Sequence, residues 1–384
     1  MNNWILAFLI SFTFWGLSLT NIGQPQSYNF DEFHYIPAAK AFLDKGPILN
    51  TEHPPLAKII IAQGILLLGD NPMGWRMMSS LFGALTLAGI YLWSLNLFAS
   101  QRSALFAAII TAANQMLFVQ SRIAMLDTFM AAFLVWAAYT FSFWWRHREK
   151  NYVLFLSSFF FGLATATKWF SVMPMGVVGL LLLVAFFKDK KVRLSAVIGF
   201  ILIAFITYAI TFYPNNFLHA QFVIWESQQR VTGTHPYASS WWTWPLQIRP
   251  IWYSYEAING SDLIRPVILI GNPLIIWGGI IALFYCGWLA FAKRSSVARE
   301  VLLAYLVCLF SWAIVPRKLA FFYYYYPAAL MLSLVLTKAL EKTKLRWIFA
   351  GVSVLFFIYF YPVLSSTPVK PESLSRWTWF SKWI

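Results

Sequence analysis

The sequence is 384 residues long, 60% hydrophobic and 19% aromatic, with only 11% charged side chains. Globular domains carry about a quarter charged residues, so a soluble enzyme is excluded. A net charge of +15 could suit a nucleic acid, but the basic residues are scattered between apolar blocks rather than gathered on one face, so no nucleic-acid partner is expected.

The blocks run to roughly 18 to 25 apolar residues, which specifies helices rather than the short alternating strands of a barrel. The whole chain, 1–384, therefore reads as a single all-α polytopic membrane domain. A first span is expected over 4–20; Met1-Asn2-Asn3-Trp4 carries no basic residue and no small-residue cleavage signal follows, so it is expected to be retained. The segment 21–73 is a first outer loop with two surface helices, 32–44 and 56–68. Pro54-Pro55 forces the break between them and suits the first turn of the second helix, placing Glu52 and His53 at its N-terminal end. Further spans are expected at 74–99, 103–120, 125–145, 152–167, 169–187 and 194–213. A Trp-rich outer loop follows over 214–267, and then spans at 268–292, 300–316, 320–337 and 346–364, about 11 transmembrane helices in all.

Alternate connections hold 15 of the 29 basic residues, running from Arg102 to Arg346, with only four acids, a net of +11. The positive-inside rule makes that side the cytoplasm, which leaves the N-terminus cytoplasmic and both long loops on the outer, periplasmic face of a cell membrane. No glycine-rich phosphate loop is present and every cytoplasmic connection is short, so chemistry is expected on the outer face. Cys286 and Cys308 lie inside apolar runs and form neither a disulfide framework nor a metal motif.

Several outer residues are candidates for that chemistry. Asp31-Glu32 opens a surface helix, where acids cap free amides; a carboxylate desolvated by Phe30 and Phe33 would equally serve as a general base. His53 and Lys58 lie one helical turn apart and read either as a cap with a snorkelling cation or as substrate contacts. Arg122 and Asp127 flank a span start, where ionisable groups pair with each other or face a polar cavity. Lys168 stands between two apolar runs, and Arg317-Lys318 precedes the aromatic run Phe321 to Tyr326; both suit an anionic headgroup or phosphate. The loop residues His235, Tyr237, Trp241 and Trp244 suit an interfacial belt or stacking on a sugar or peptide. A Trp-rich loop with histidines also occurs in haem-handling membrane proteins, but no haem-attachment motif is present.

Taken in order, Phe30-Asp31-Glu32, His53-Pro54-Pro55-Leu56-x-Lys58, Gly74-Trp75-Arg76 through Phe82-Gly83, Arg122 to Asp127, and Thr167-Lys168-Trp169 form a recognisable series. It continues with His235-x-Tyr237-x-Ser239-x-Trp241 to Trp244-Pro245-Leu246, Gly271-Asn272-Pro273, and Arg317 with Phe321 and Tyr323 through Pro327. Over nearly the whole chain this resembles the protein O-mannosyltransferase family of GT-C glycosyltransferases. The resemblance implies a GT-C helical bundle that moves a sugar, typically mannose, from a polyprenyl phosphate carrier to Ser or Thr hydroxyls of a secreted or membrane protein. It implies Asp31 and Glu32 as the catalytic pair. The chain lacks the large soluble insert of eukaryotic members between spans seven and eight, and its size and topology are closer to a bacterial form.

The chemistry implied is consistent with the residues. A lipid phosphate is already a competent leaving group, so the reaction needs a base, Asp31, and cations for the developing charge. Arg122, Lys168 and Arg317 are the candidate phosphate clamps. No second carboxylate stands as a nucleophile, so a single inverting displacement is expected. Glu32 and His53 would orient the acceptor or hold a divalent cation, although two ligands define no metal site, and no other cofactor is expected. The alternatives are a relative that glycosylates a lipid, like the aminoarabinose transferases, and a lipid or solute transporter. A transporter would place its charges at the bilayer midplane and show internal repeats, neither of which is seen.

Overall fold

The computed structural model describes residues 2–47, 49–189, 191–230, 233–315 and 319–383. Helix α1 spans Asn3–Leu19 and starts where the Asn2 side chain accepts the Trp4 amide. Two short helices follow, α2 over Glu32–Leu43 and α3 over Leu56–Leu68, with Pro55 in the N-cap position of α3. At 12 and 13 residues both are too short to span a bilayer. Helix α4, Pro72–Phe98, opens two residues before the expected 74, with proline in its first turn and with Asn71 accepting the amides of Met73 and Gly74.

The span expected over 103–120 is divided into α5, Gln101–Ala112, and α6, Gln115–Gln120. The break falls at Asn114, whose side chain turns back to cap Met116, a local competition with the helix that short amides favour. Helices α7 (Leu126–Arg146), α8 (Asn151–Thr167), α9 (Val172–Lys188) and α10 (Leu194–Ile210) follow. The second long segment carries α11, Phe217–Arg230, and a β-hairpin of β1 (Ile251–Ala257) and β2 (Ile264–Leu269), an addition to the all-α reading. The strands pair antiparallel from Ile251 opposite Leu269 to Ala257 opposite Ile264, with a bulge between Trp252 and Ser254. Residues 268 and 269 thus belong to a strand, and the span expected from 268 begins instead as α12, Pro273–Phe291, capped by Asn272. Helices α13 (Ser296–Ile314), α14 (Tyr326–Leu340) and α15 (Leu345–Leu364) complete the bundle.

Among the described residues six helical stretches are long and apolar enough to cross a membrane: Pro72–Phe98, Leu126–Arg146, Trp169–Lys188, Pro273–Phe291, Ser296–Ile314 and Leu345–Leu364. The other expected spans form helices of 12 to 17 residues at the places the sequence assigned. Helix α4 is the hub, packing on α1, α3, α5 and α7, while α14 packs on α5, α12 and α13. Two close approaches need glycine. A Cβ at Gly64 would stand 2.4 Å from the Gly74 carbonyl oxygen, and one at Gly83 would stand 1.9 Å from Ser121 Oγ. The first lets α3 lie on α4; the second seats the turn before α7 against α4. Large apolar side chains on α9, α10, α12 and α15, such as Leu180, Ile201, Phe284 and Leu355, remain exposed and suit a lipid surface.

Charges divide by end. At one end of the bundle Arg146 pairs with Glu300 at 2.8 Å, Arg148 with Asp189 at 3.2 Å and Lys338 with Glu341 at 2.5 Å. The other end gathers both long segments, 21–73 and 214–267, and residues 365–383 join it: Trp252 Nε1 donates to the Trp383 carbonyl at 2.8 Å, and Ile264 pairs with Val369.

Candidate active site

The two carboxylates after α1 have different surroundings. Asp31 occupies the N-cap position of α2 but its side chain makes no capping bond. Glu32, read as half of a catalytic pair, is fully buried. Its Oε2 accepts the Asn29 amide at 2.8 Å and its Oε1 the Ala124 amide at 2.8 Å. Arg76 of α4 closes the arrangement, donating from Nε to Oε1 and from Nη2 to Oε2, each at 2.9 Å. The remaining guanidinium donors reach the carbonyls of Ile22, Pro25 and Ser27. Glu32 is therefore the tie that fixes the loop after α1, α4 and the 120–127 segment to one another, and Arg76 is its counter-ion.

Asp31 is held over that tie, half-buried. Its Oδ2 accepts hydroxyl hydrogens from Tyr35 and Tyr323, both at 3.2 Å; among the described residues Oδ1 has no hydrogen-bond partner. Burial pushes the Asp31 carboxyl above its ordinary value; Lys168 pulls it down, Asp127 pushes it up, and the Tyr35 bond lowers it. Both phenols are held well above the ordinary tyrosine range, first by burial and then by the Asp31 charge, so they stay protonated and act as donors. Phe30, immediately before, adopts φ 47°, a left-handed conformation that costs a bulky residue of order 1 kcal/mol or more. Its ring packs against Tyr253, Phe321 and Tyr323 at centroid distances of 5.2, 5.9 and 5.9 Å, which holds the turn in place.

Asp127 forms its ion pair with Lys168, not with Arg122. The Lys168 ammonium donates to both Asp127 oxygens, at 2.8 and 2.9 Å, with both groups buried, and lies 4.5 Å from the Tyr324 ring centroid. Arg122 instead donates to the carbonyls of Ser18, Thr20 and Ser365 and lies over the Phe118 ring. It knits the end of α1 to the end of α15. Arg317 and Lys318 lie outside the described residues.

Lys58 does not snorkel. It is buried, donates to the carbonyls of Asn50 and His53 at 2.6 and 2.8 Å, and burial pulls its ammonium down to about 8. The His53 ring meets Tyr35 edge-on at 6.3 Å, so this loop backs the Asp31 side of the site. His235 packs on Phe321 at 5.1 Å and accepts the Tyr237 amide through Nδ1. Trp244 is buried and donates to Ser239 Oγ at 3.0 Å, while Trp241 packs on Phe310. Among the described residues no three His, Cys, Asp or Glu side chains converge to hold a metal ion.

A groove of about 650 Å³ opens between α7, α8, α9 and α13, with Leu134, Phe161, Val178, Leu181, Leu303 and Val307 among its apolar walls, and it runs to the opposite end of the bundle, where Arg146, Arg299 and Glu300 also line it. Beside the Asp127–Lys168 pair the rings stack in series, Phe170 on Trp312 at 5.1 Å and Trp312 on Tyr324 at 4.2 Å. The arrangement is a half-buried carboxylate with one oxygen unpaired among the described residues and a buried ion pair beside it.

The sequence did not single out Tyr35 as a partner of Asp31 or Arg76 as the counter-ion of Glu32. Arg76 had a signal, a charge inside an apolar helix; Tyr35 had none. One expectation follows from the Tyr35 bond. A base works ionised, so the rate falls as pH drops through the Asp31 pKa; Tyr35→Phe removes a bond that lowers this pKa. The acid limb of the kcat/KM profile is expected to move to higher pH in Tyr35→Phe, and a profile that stays put would remove Tyr35 from this role.

Two family models match in tandem. One, described as dolichyl-phosphate-mannose-protein mannosyltransferase, matches residues 52–211; the other, the C-terminal four-transmembrane region of protein-O-mannosyltransferase, matches residues 212–383. A polyprenol-phosphate-mannose–protein mannosyltransferase of Mycobacterium tuberculosis is 24% identical over 95% of this chain and 88% of its own. One from Corynebacterium glutamicum is 26% identical over 83% and 78%. Among solved structures, the S. cerevisiae protein O-mannosyltransferase Pmt1-Pmt2 complex bound to the sugar donor superposes with a TM-score of 0.86 at 15% identity, over 100% of this chain and 93% of that one. ArnT from Cupriavidus metallidurans bound to undecaprenyl phosphate gives a TM-score of 0.63 at 18% identity, over 91% of this chain and 62% of that one.

Proposed function

The chain belongs to the protein O-mannosyltransferase family and is a membrane glycosyltransferase; on that premise we propose that it moves mannose from a polyprenyl phosphate to Ser or Thr hydroxyls of proteins on the outer face of the membrane. The observation that carries the reading is Asp31. Its Oδ2 is occupied by two phenols and its Oδ1 is open, so it takes the proton of an acceptor hydroxyl as that oxygen attacks the anomeric carbon. The bond from that carbon to the phosphate oxygen breaks, the anomeric centre inverts, and polyprenyl phosphate departs. Tyr35 and Tyr323 hold the carboxylate in line, and Glu32 acts through position rather than contact with substrate. The groove between α7, α9 and α13 takes the isoprenoid chain.

Phosphate stabilisation is assigned to Lys168, tempered by its partner. An ammonium bonded to both Asp127 oxygens has much of its field cancelled, so its effect on the phosphate is smaller than that of a lone cation. Arg122, spent on three carbonyls, is assigned to architecture. His53 and Lys58 shape the wall behind Tyr35; His235, Tyr237 and Trp241 are assigned to the aromatic surface over which an acceptor segment would lie, with the buried Trp244 beneath as support.

The experiment is transfer of labelled mannose from synthetic polyprenyl-phosphate-mannose to a Ser/Thr-rich peptide by purified protein. Label on the peptide is expected; label delivered only to a lipid acceptor would favour the lipid-modifying reading that the likeness to ArnT keeps open. Sidedness has its own test. A cysteine replacing the exposed Pro236 is expected to react with an impermeant thiol reagent on intact cells, and labelling only after lysis would reverse the topology.

A further inference from the structure

Beyond Asp31 the same end of the bundle holds a buried polar group that the mechanism leaves unused. Gln120, the last residue of α6, is fully buried. Its Oε1 accepts the Tyr253 hydroxyl at 3.4 Å, and among the described residues its Nε2 has no hydrogen-bond partner. An amide flip would move the vacancy to the oxygen without filling it. Leaving such a group unpaired costs about 1–3 kcal/mol, which a polar ligand entering beside it would recover; Gln120 shares its unpaired state with other buried groups and is set apart by its place. The place is specific. Ala124, four residues on, donates its amide to Glu32, which pins this segment beneath the Asp31 turn, and the Tyr253 ring packs on Phe30, the neighbour of Asp31, at 5.2 Å.

Tyr253 reaches this position through an irregularity. It is the extra residue of the bulge between Trp252 and Ser254, and bulges re-aim a side chain out of the strand alternation. Buried there, its phenol is held well above the usual tyrosine range by burial and then by the Asp127 and Asp31 charges, so it stays a protonated donor and acceptor. A hydroxyl-rich ring satisfies an amide and a phenol together, whereas an isoprenoid chain satisfies neither.

We infer that Gln120 and Tyr253 form the subsite that reads the hydroxyls of the transferred sugar, and so set which sugar the enzyme accepts. This rests on the proposed transferase reading. The test uses the full-length protein with Gln120→Met, which keeps length and loses the amide, and Tyr253→Phe, which loses one oxygen. Transfer from polyprenyl-phosphate-mannose is expected to fall ~10- to 100-fold in each, while binding of polyprenyl phosphate without sugar is unchanged. With a set of monodeoxy-mannosyl donors, the wild-type protein rejects the analogue lacking the hydroxyl that is read, and Gln120→Met loses that rejection. Unchanged transfer and unchanged discrimination, or equal loss of bare-carrier binding, would overturn the assignment. If Gln120→Met does not fold, Tyr253→Phe carries the same test. A wild-type protein that transfers no mannose sinks the transferase reading instead, which keeps the two failures distinct.

Discussion

Asp31→Asn is expected to lower the single-turnover transfer rate by ~10²- to 10⁴-fold, the range over which a positioned general base contributes, while donor binding survives. The amide is nearly the same size, keeps an acceptor oxygen for Tyr35 and Tyr323, and cannot take the acceptor proton. Loss through unfolding is not expected, and the sign can be worked out. Burial raises the Asp31 pKa in the folded protein, so the folded state binds more protons than the unfolded one between the two pKa values. The contribution of Asp31 to stability is therefore present at low pH and lost as pH rises through its folded pKa. At neutral pH the ionised group is a net burden, and the asparagine variant should melt no lower than wild type. Rate, donor titration and melting temperature together check this; a variant within tenfold of wild-type turnover would remove Asp31 as the base.

Arg76→Met is expected to have the largest effect on stability, a loss of ~3–5 kcal/mol, the cost of leaving one member of a buried ion pair without the other. Glu32 has no water to turn to, since both side chains are wholly buried and its oxygens are committed to Asn29, Ala124 and Arg76. The carbonyls of Ile22, Pro25 and Ser27 lose their donors as well. Adding Glu32→Met to Arg76→Met should restore part of the loss, because the stranded charge is gone while two amides still lack an acceptor. Thermal unfolding in detergent measures this. A single Arg76→Met variant melting at the wild-type temperature would contradict the structural role given to the pair.

The parts of the fold that were legible depend on local signals. Pro54-Pro55 announces α3, whose bounds at Leu56 and Leu68 agree with expectation, and the apolar blocks announce the bundle, although α4 begins at Pro72 rather than at the expected 74. Where the local signal was ambiguous the reading drifted. Asn114 looked like one polar residue inside a span, but its side chain caps the next helix and divides it. Residues 268–269 are as apolar as the helix after them, yet pair with β1, since short apolar runs do not distinguish a strand from a helix.

The site divides in the same way. Asp31 stands out in the sequence because it sits beside aromatic residues at a helix start. The division of labour within Asp31-Glu32 was not visible, because it is decided by Arg76, 44 positions beyond Glu32. The pairing of Asp127 was likewise misjudged: Arg122 is near in sequence, whereas Lys168, 41 positions away, is the actual partner.

The central claim is a single displacement driven by Asp31 at a peptide hydroxyl, and the anomeric configuration of the product tests it most directly. Purified protein would be given polyprenyl-phosphate-mannose of known configuration and a threonine-containing peptide, and the mannosyl-peptide read by NMR. Inversion relative to the donor is predicted. Retention would require a covalent intermediate or a second nucleophile and would contradict the account of the site.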